Sequence, residues 1–222
     1  MALKIIFMGT PDFAVKILNS IIDSKHNLLA VYTQSPKKSN RGQKINISSV
    51  QDFSEKKQIK VRTPQKLDLE EKMFIQKLKP DVVIVVAYGK LIPPEILDIK
   101  NIKFINVHAS LLPRWRGAAP IQRSIMEMDK ETGISIMKIE KKLDAGPYIK
   151  QVKVKINKET TSGELIKTLS FLGAEALKES IELISLGEAS FIEQNEKKAT
   201  YAKKIDKVET RINWKDKAEN II

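Results

Sequence analysis

An amide, an imidazole and a carboxylate are spaced along this chain in a way that suits acyl transfer. Asn106 and His108 stand two apart in "KFINVHASLLPRWRGAAPIQRSI", where an apolar strand runs into a turn punctuated by Pro113 and Gly117; Asp144 stands in "KLDAGP". Residues two apart on a strand face the same way, so Asn106, His108 and Ser110 can converge at the strand's end. An asparagine N–H can donate to a developing oxyanion, an imidazole can share that task or move a proton near neutral pH, and a carboxylate can orient the ring and raise its basicity. A structural reading competes at each position: a histidine bonded to backbone, an asparagine capping a turn, an aspartate closing an Asx-turn beside Gly146 and Pro147. At His108 that reading is weakened, because this is one of only two histidines and it shares its strand end with an amide donor. His26, in "DSKHNLL", has no such company and is expected in a solvated loop. Ser110 invites a Ser-His-Asp hydrolase, but no G-x-S-x-G elbow surrounds it.

Composition narrows the chemistry. None of the 222 residues is a cysteine, which removes disulfides, thiolate nucleophiles, Cys-bound zinc and iron–sulfur clusters, and no metal is expected. Lys and Arg outnumber Asp and Glu by 39 to 27, a formal net charge of +12, which fits a polyanionic partner or a solubilising Lys-rich surface. The distribution favours the partner: from Ser24 to Gln51 there is no acidic residue, and Lys25, Lys37, Lys38, Arg41 and Lys44 fall in that stretch. The longest apolar run, "DVVIVVAYG", is strand-sized, and "MALKIIFMGTPDF" lacks the plan of a signal peptide, so a cytoplasmic protein with no membrane attachment is expected.

The elements that must position these residues alternate. "LKIIFMGTPDFAVKILNSII" reads as a strand, a tight turn at Gly9 and a helix with Thr10 as N-cap and Pro11 at its first position, and "LLAVYTQ" as the next strand. Gly9 stands alone, so this is not a dinucleotide fingerprint. "SPKKSNRGQKINISS" (35–49) reads as a long polar loop before a helix around 50–58. "IKVRTP" follows as a strand, "QKLDLEEKMFIQKL" as a helix, "DVVIVVAYG" as a strand buried on both faces, "PPEILDI" as a helical turn, "KFINVH" as a strand and "AAPIQRSIMEM" as a helix. That grammar predicts a doubly wound, mostly parallel α/β sheet. After Asp129, "GISIMKI" and "YIKQVKVKI" read as an antiparallel extension, followed by an amphipathic helix at about 162–185.

"NVHASLLPRWRGAAPIQRSI" resembles the N-x-H-x-S-L-L-P…R-G signature of the folate-dependent formyltransferases. "FMGTPDFAV", "AYGKLIP", "KLDAGP" and the basic "RGQK" loop are similar to the members that act on methionyl-tRNA, and the resemblance covers nearly the whole chain. It implies a Rossmann-like formyltransferase fold and transfer of a formyl group from 10-formyltetrahydrofolate to the α-amine of methionine on initiator tRNA, in translation initiation. Asn106, His108 and Asp144 match the family's catalytic trio. Folate contacts are implied at Ser110, Leu111, Leu112 and Pro113, with a pterin slot lined by Ala87, Tyr88, Gly89, Leu91, Ile92 and Pro93. For tRNA, the resemblance implies the loop carrying Lys37, Lys38, Arg41, Gly42 and Lys44, and Arg114 and Arg116 add cations beside the site. Family members usually continue into a small C-terminal β-barrel. Residues 1–189 are therefore expected to form the catalytic domain, and 190–222 a linker toward a C-terminal domain that is absent or truncated. A monomer is expected. The alternatives are another 10-formyltetrahydrofolate-dependent formyltransferase, acting on glycinamide ribonucleotide or an amino sugar, a formyltetrahydrofolate hydrolase, or a noncatalytic RNA-binding module in which Arg114, Trp115 and Arg116 clamp nucleic acid.

Overall fold

The chain opens with the β-α-β unit that its apolar spacing predicts: β1 (Lys4–Gly9), α1 (Asp12–Ile22) and β2 (Asn27–Tyr32). In this computed structural model, which describes residues 1–39 and 44–221, there follow β3 (Lys37–Ser39), β4 (Lys44–Asn46), α2 (Ser49–Lys56), β5 (Val61–Arg62), α3 (Leu69–Leu78) and β6 (Val82–Val86). Next come α4 (Pro94–Leu97), β7 (Lys103–His108), β8 (Arg116–Gly117), α5 (Pro120–Met126), β9 (Glu131–Lys138) and β10 (Tyr148–Lys155). The long α6 (Ser162–Leu186), a 3-10 turn (Glu196–Lys198), β11 (Tyr201–Ala202) and α7 (Ala218–Ile221) complete the order.

Seven strands form the main sheet in the order β10-β9-β7-β6-β1-β2-β5. β7, β6, β1, β2 and β5 pair in parallel, while β9 runs antiparallel to β7 and β10 antiparallel to β9. This is the mostly parallel α/β sheet with an antiparallel extension that the alternation of elements predicts. After β5 the chain crosses back to lay β6 on the far side of β1, so the order reverses there. Ligands of such sheets gather beyond the carboxyl ends of the strands at that switch.

Side-chain alternation fixes the layers. Ile5 and Phe7 of β1, Val82, Ile84 and Val86 of β6, and Ile105 and Val107 of β7 are buried with α1 and α6, whereas Ile6, Met8, Val83, Val85 and Phe104 pack with Ile75 of α3 and Ile96 of α4. Asn106 and His108 share the side of Phe104 by the same rule, at the carboxyl end of β7. Helix α6 starts in a capping box made by Thr161 and Glu164 and stops at Gly187, whose φ of 77° is left-handed. It lies close under β7 because Gly173 has no side chain: a Cβ there would stand 3.2 Å from Val107, the residue between Asn106 and His108.

Several local expectations change, each for a visible reason. Helix α1 begins at Asp12 with Pro11 at its N-cap, because the Thr10 hydroxyl donates instead to the Tyr88 carbonyl at 2.8 Å. The stretch 35–49 is not simply a loop: β3 and β4 pair antiparallel within it, Lys37 opposite Asn46. His26 is buried, not solvated. Its Nδ1 accepts the Leu3 N–H at 3.2 Å and its Nε2 faces Glu182 at 3.4 Å. Within residues 190–202, Ile192 bridges Tyr148 and β11 pairs with β8. Among the described residues no helix is long and apolar enough to cross a membrane.

Candidate active site

The His108 ring is pinned at one nitrogen. Nε2 lies 2.8 Å from the Trp115 carbonyl oxygen, which can only accept, so Nε2 carries the proton and the neutral ring has its lone pair on Nδ1. Nδ1 faces Asp144 Oδ2 at 3.7 Å, and the other carboxylate oxygen, Oδ1, accepts from Asn106 Nδ2 at 3.5 Å. The three predicted residues are therefore brought together, with the carboxylate between amide and ring. His108 is 6% exposed and the Asp144 side chain 16% exposed, so the charge interactions act in a largely desolvated place.

Asp144 reaches this position through backbone that most residues avoid. Its φ is 46°, in the left-handed region, at a cost of about 1–3 kcal/mol for a non-glycine residue. The Gly117 N–H donates to Oδ2 at 2.8 Å, which secures the carboxylate from the opposite loop. Two residues on, Gly146 is required because a Cβ would collide with the Lys138 carbonyl.

The turn after β7 is built from its own polar atoms. Ser110 is fully buried and its hydroxyl donates to the Arg114 carbonyl at 2.6 Å. Ser135 of β9 donates to the Ser110 carbonyl and accepts the Leu112 N–H, and Gln151 of β10 donates to the Leu112 carbonyl. The expected convergence of Ser110 with Asn106 and His108 thus becomes a supporting role, and the buried Leu112 side chain is likewise turned inward, leaving Leu111 and Pro113 partly exposed. Trp115 is buried too. Its indole N–H and the Arg114 guanidinium both donate to Asp129, and Arg114 stacks on the indole 4.4 Å from its centroid. An aromatic held this way offers no face to a base, which removes the clamp of a simple RNA-binding module.

Arg116 needs the plainest correction. Sequence places it against nucleic acid, but its side chain is 0% exposed. It donates to Gln194 Oε1 through Nε at 3.1 Å and Nη2 at 2.8 Å, and to Glu196 at 2.7 Å. Gln194 in turn donates to the carbonyls of Asp144 and Gly146 at 3.0 and 2.7 Å. The strap continues as Thr200 accepts the Trp115 N–H, and Ala202 accepts the N–H of Ala118 at 2.9 Å. Gln194, Glu196 and Thr200 had no signal in the sequence as parts of a site, since nothing about "EQNEKKATYA" marks a distant partner.

Beyond β6 lies the second wall. The Tyr88 carbonyl receives Thr10 and Gln34, so the loops after β1, β2 and β6 are tied at one point. Ala87 and Gly89 both have positive φ, 45° and 78°, and both are exposed, whereas Tyr88 is buried. Leu91 is 84% exposed, with Ile92 and Pro93 partly so. Lys90 donates to the carbonyls of Pro64 and Gln65, and Lys37 to Gln34. Arg41 and Gly42 lie outside the described residues, and Lys38 and Lys44 are placed only as backbone in β3 and β4. Among the described residues no group of three or more His, Cys, Asp or Glu side chains could hold a metal ion.

Residues 3–181 match a family model described as formyl transferase. The chain is 53% identical over 225 residues to the methionyl-tRNA formyltransferase of Pelagibacter ubique (strain HTCC1062), covering 100% of this chain and 72% of that protein. It is 46% identical over 223 residues to the methionyl-tRNA formyltransferase of Bartonella tribocorum (strain CIP 105476 / IBS 506), with coverage of 100% and 72%. Among solved structures it is similar to the N-formyltransferase from Helicobacter canadensis in complex with folinic acid and dTDP-3-aminofucose, with a TM-score of 0.74, 22% identity and coverage of 100% of this chain and 78% of that one. At that identity the likeness concerns the fold.

Hydrogen bonds from Arg116 and then Lys142 draw the Glu196 carboxyl from its ordinary 4.5 down to about 2. A carboxyl lowered by folding stabilises the folded chain above its unfolded pKa and loses that contribution as pH falls through the folded value. The difference in Tm between wild type and Glu196→Gln should therefore be full at neutral pH and shrink as pH falls from 4.5 toward about 2. A difference that stayed constant over that window would show that this ion pair does not hold the strap.

Proposed function

This chain belongs to the methionyl-tRNA formyltransferases, and from that premise we propose that it moves a formyl group from 10-formyltetrahydrofolate to the α-amine of methionine on initiator tRNA, supporting translation initiation. The observation that carries this reading is the placing of Asn106, His108 and Asp144 in one cluster at the carboxyl end of β7, with Nδ1 of His108 free of any backbone partner. The reading extends to a cytoplasmic monomer, as the family resemblance implies.

The residues beside the cluster fit a folate. A flat ring with polar edges needs apolar walls and accessible backbone, and exposed Leu91, partly exposed Ile92, Leu111 and Pro113, and the exposed Ala87 and Gly89 supply them. The folate brings the formyl carbon. The work of this chain is to bind it and manage charge and protons around it. As the amine nitrogen bonds to that carbon, negative charge grows on the formyl oxygen. Asn106 Nδ2 is the donor for it, released from its long contact with Asp144. The amine must also shed a proton. His108 Nδ1 receives it, because Nε2 is already protonated, and Asp144 then faces a cationic ring. The same proton is available to the folate nitrogen as the old C–N bond breaks, which balances the exchange without a covalent enzyme intermediate.

For the tRNA, the stretch of chain that includes β3 and β4 is the proposed contact, with Lys37, Lys38, Arg41, Gly42 and Lys44 as the proposed phosphate-binding residues. It lies in the acid-free stretch of the chain and begins beside Gln34 at the tied loops. Arg114, half exposed though paired with Asp129, remains available at the rim, and Arg116 does not.

Asn106→Ala and His108→Ala should each lower kcat by about two to three decades with circular dichroism unchanged. Asp144→Asn should lower kcat, because a neutral amide does not support a cationic ring as a carboxylate does. Near wild-type turnover in the alanine variants would sink this mechanism.

Replacing Arg41 and Lys44 together with Ala should raise KM for charged tRNA and flatten its log–log salt dependence by roughly one unit or less per lost phosphate contact, leaving KM for the folate unchanged. Matching wild type at every salt concentration would move tRNA recognition elsewhere.

A further inference from the structure

We propose that Gln194 is a positioning residue for formyl transfer: its amide holds the turn that presents the Asp144 carboxylate to Asn106 and His108. The inference rests on the part assigned to Asp144 above. Gln194 is buried, although glutamine is mostly a surface residue, and its whole polar end is committed. Oε1 accepts two N–H groups of Arg116, and Nε2 donates to the carbonyls of Asp144 and Gly146. The orientation is decided by the partners. A guanidinium only donates and a carbonyl only accepts, so the amide oxygen and nitrogen cannot exchange places.

What the amide grips is the backbone of a left-handed residue. Asp144, with φ 46°, sits where non-glycine residues persist only if their surroundings over-determine them. Gln194 holds the carbonyl of Asp144 itself and that of Gly146, while Gly117 holds the side chain. Releasing the two carbonyls leaves the carboxylate held by the Gly117 N–H and the long contact with Asn106, on a backbone free to relax toward ordinary φ. Arg116 acts one step back. Buried, and paired with Glu196, it fixes the amide that fixes the turn.

The discriminating variant is Gln194→Glu. It has the same shape and still accepts from Arg116, but its second oxygen cannot donate and meets two carbonyls. A role confined to holding Arg116 would survive this change, and a role in holding the Asp144 turn would not. The experiment is a double-mutant cycle on the full chain with Asp144→Asn, reading kcat and both KM values with charged initiator tRNA and 10-formyltetrahydrofolate. Gln194→Glu alone should lower kcat about ten- to a hundredfold, as expected for a displaced reacting group, with both KM values within about twofold. In the Asp144→Asn background it should cost less than about twofold more, since the group it positions is already disabled. The full loss appearing again in that background, or a rise in KM with kcat intact, would overturn the proposal. Gln194→Asn repeats the cycle if the glutamate variant does not fold: one methylene shorter, it reaches Arg116 or the two carbonyls but not both. Asp144→Asn alone turning over like wild type would overturn the mechanism beneath, a result distinct from failure of the clamp.

Discussion

A carbonyl oxygen can accept a hydrogen bond but never donate one, and the carbonyl of Trp115 thereby decides which nitrogen of His108 is left to do chemistry. With Nε2 protonated and bound, Nδ1 is turned toward Asp144 and Asn106. Everything around the site serves to keep that carbonyl where it is. Trp115 itself has a left-handed φ of 62°, its N–H is held by Thr200, and its indole is tied to Asp129.

Two supports of different origin meet at this point. The parallel sheet supplies the floor: β7 is paired on both sides, with β6 and β9, and packed beneath by α6, so Asn106 and His108 emerge from rigid backbone. The strap of residues 191–202 supplies the other side, through a buried arginine, a buried glutamine and a two-residue strand. Neither suffices alone. The sheet cannot hold Asp144, which arrives from the turn between β9 and β10, and the strap cannot set the spacing of Asn106 and His108.

Much of this was legible in the sequence because it depends on local rules. Alternation on β7 put Asn106 and His108 on one side, the unalternating run of β6 announced a strand buried on both faces, and the Gly146–Pro147 pair marked the turn that carries Asp144. What was not legible depends on partners far away in the chain. Arg116 reads as a surface cation until Gln194, 78 residues on, is brought beside it. β8 and β11 have two residues each, too few for any period to register, and the N–H groups they satisfy lie in a turn that looks complete from its Pro and Gly content. His26 misled for the same reason, its partners being Leu3 and Glu182. Charge and polarity report exposure only on average, and a site is where the exceptions gather.

The most direct measurement is nitrogen NMR on the chain labelled with 15N-histidine. With two histidines in the sequence, His108 is identified by comparing wild type with His26→Asn. In its neutral form His108 is expected as the Nε2–H tautomer, with a strong Nε2–H coupling and an unprotonated Nδ1. A neutral His108 protonated at Nδ1 would contradict the arrangement, since Nδ1 would then have no lone pair with which to take the amine's proton.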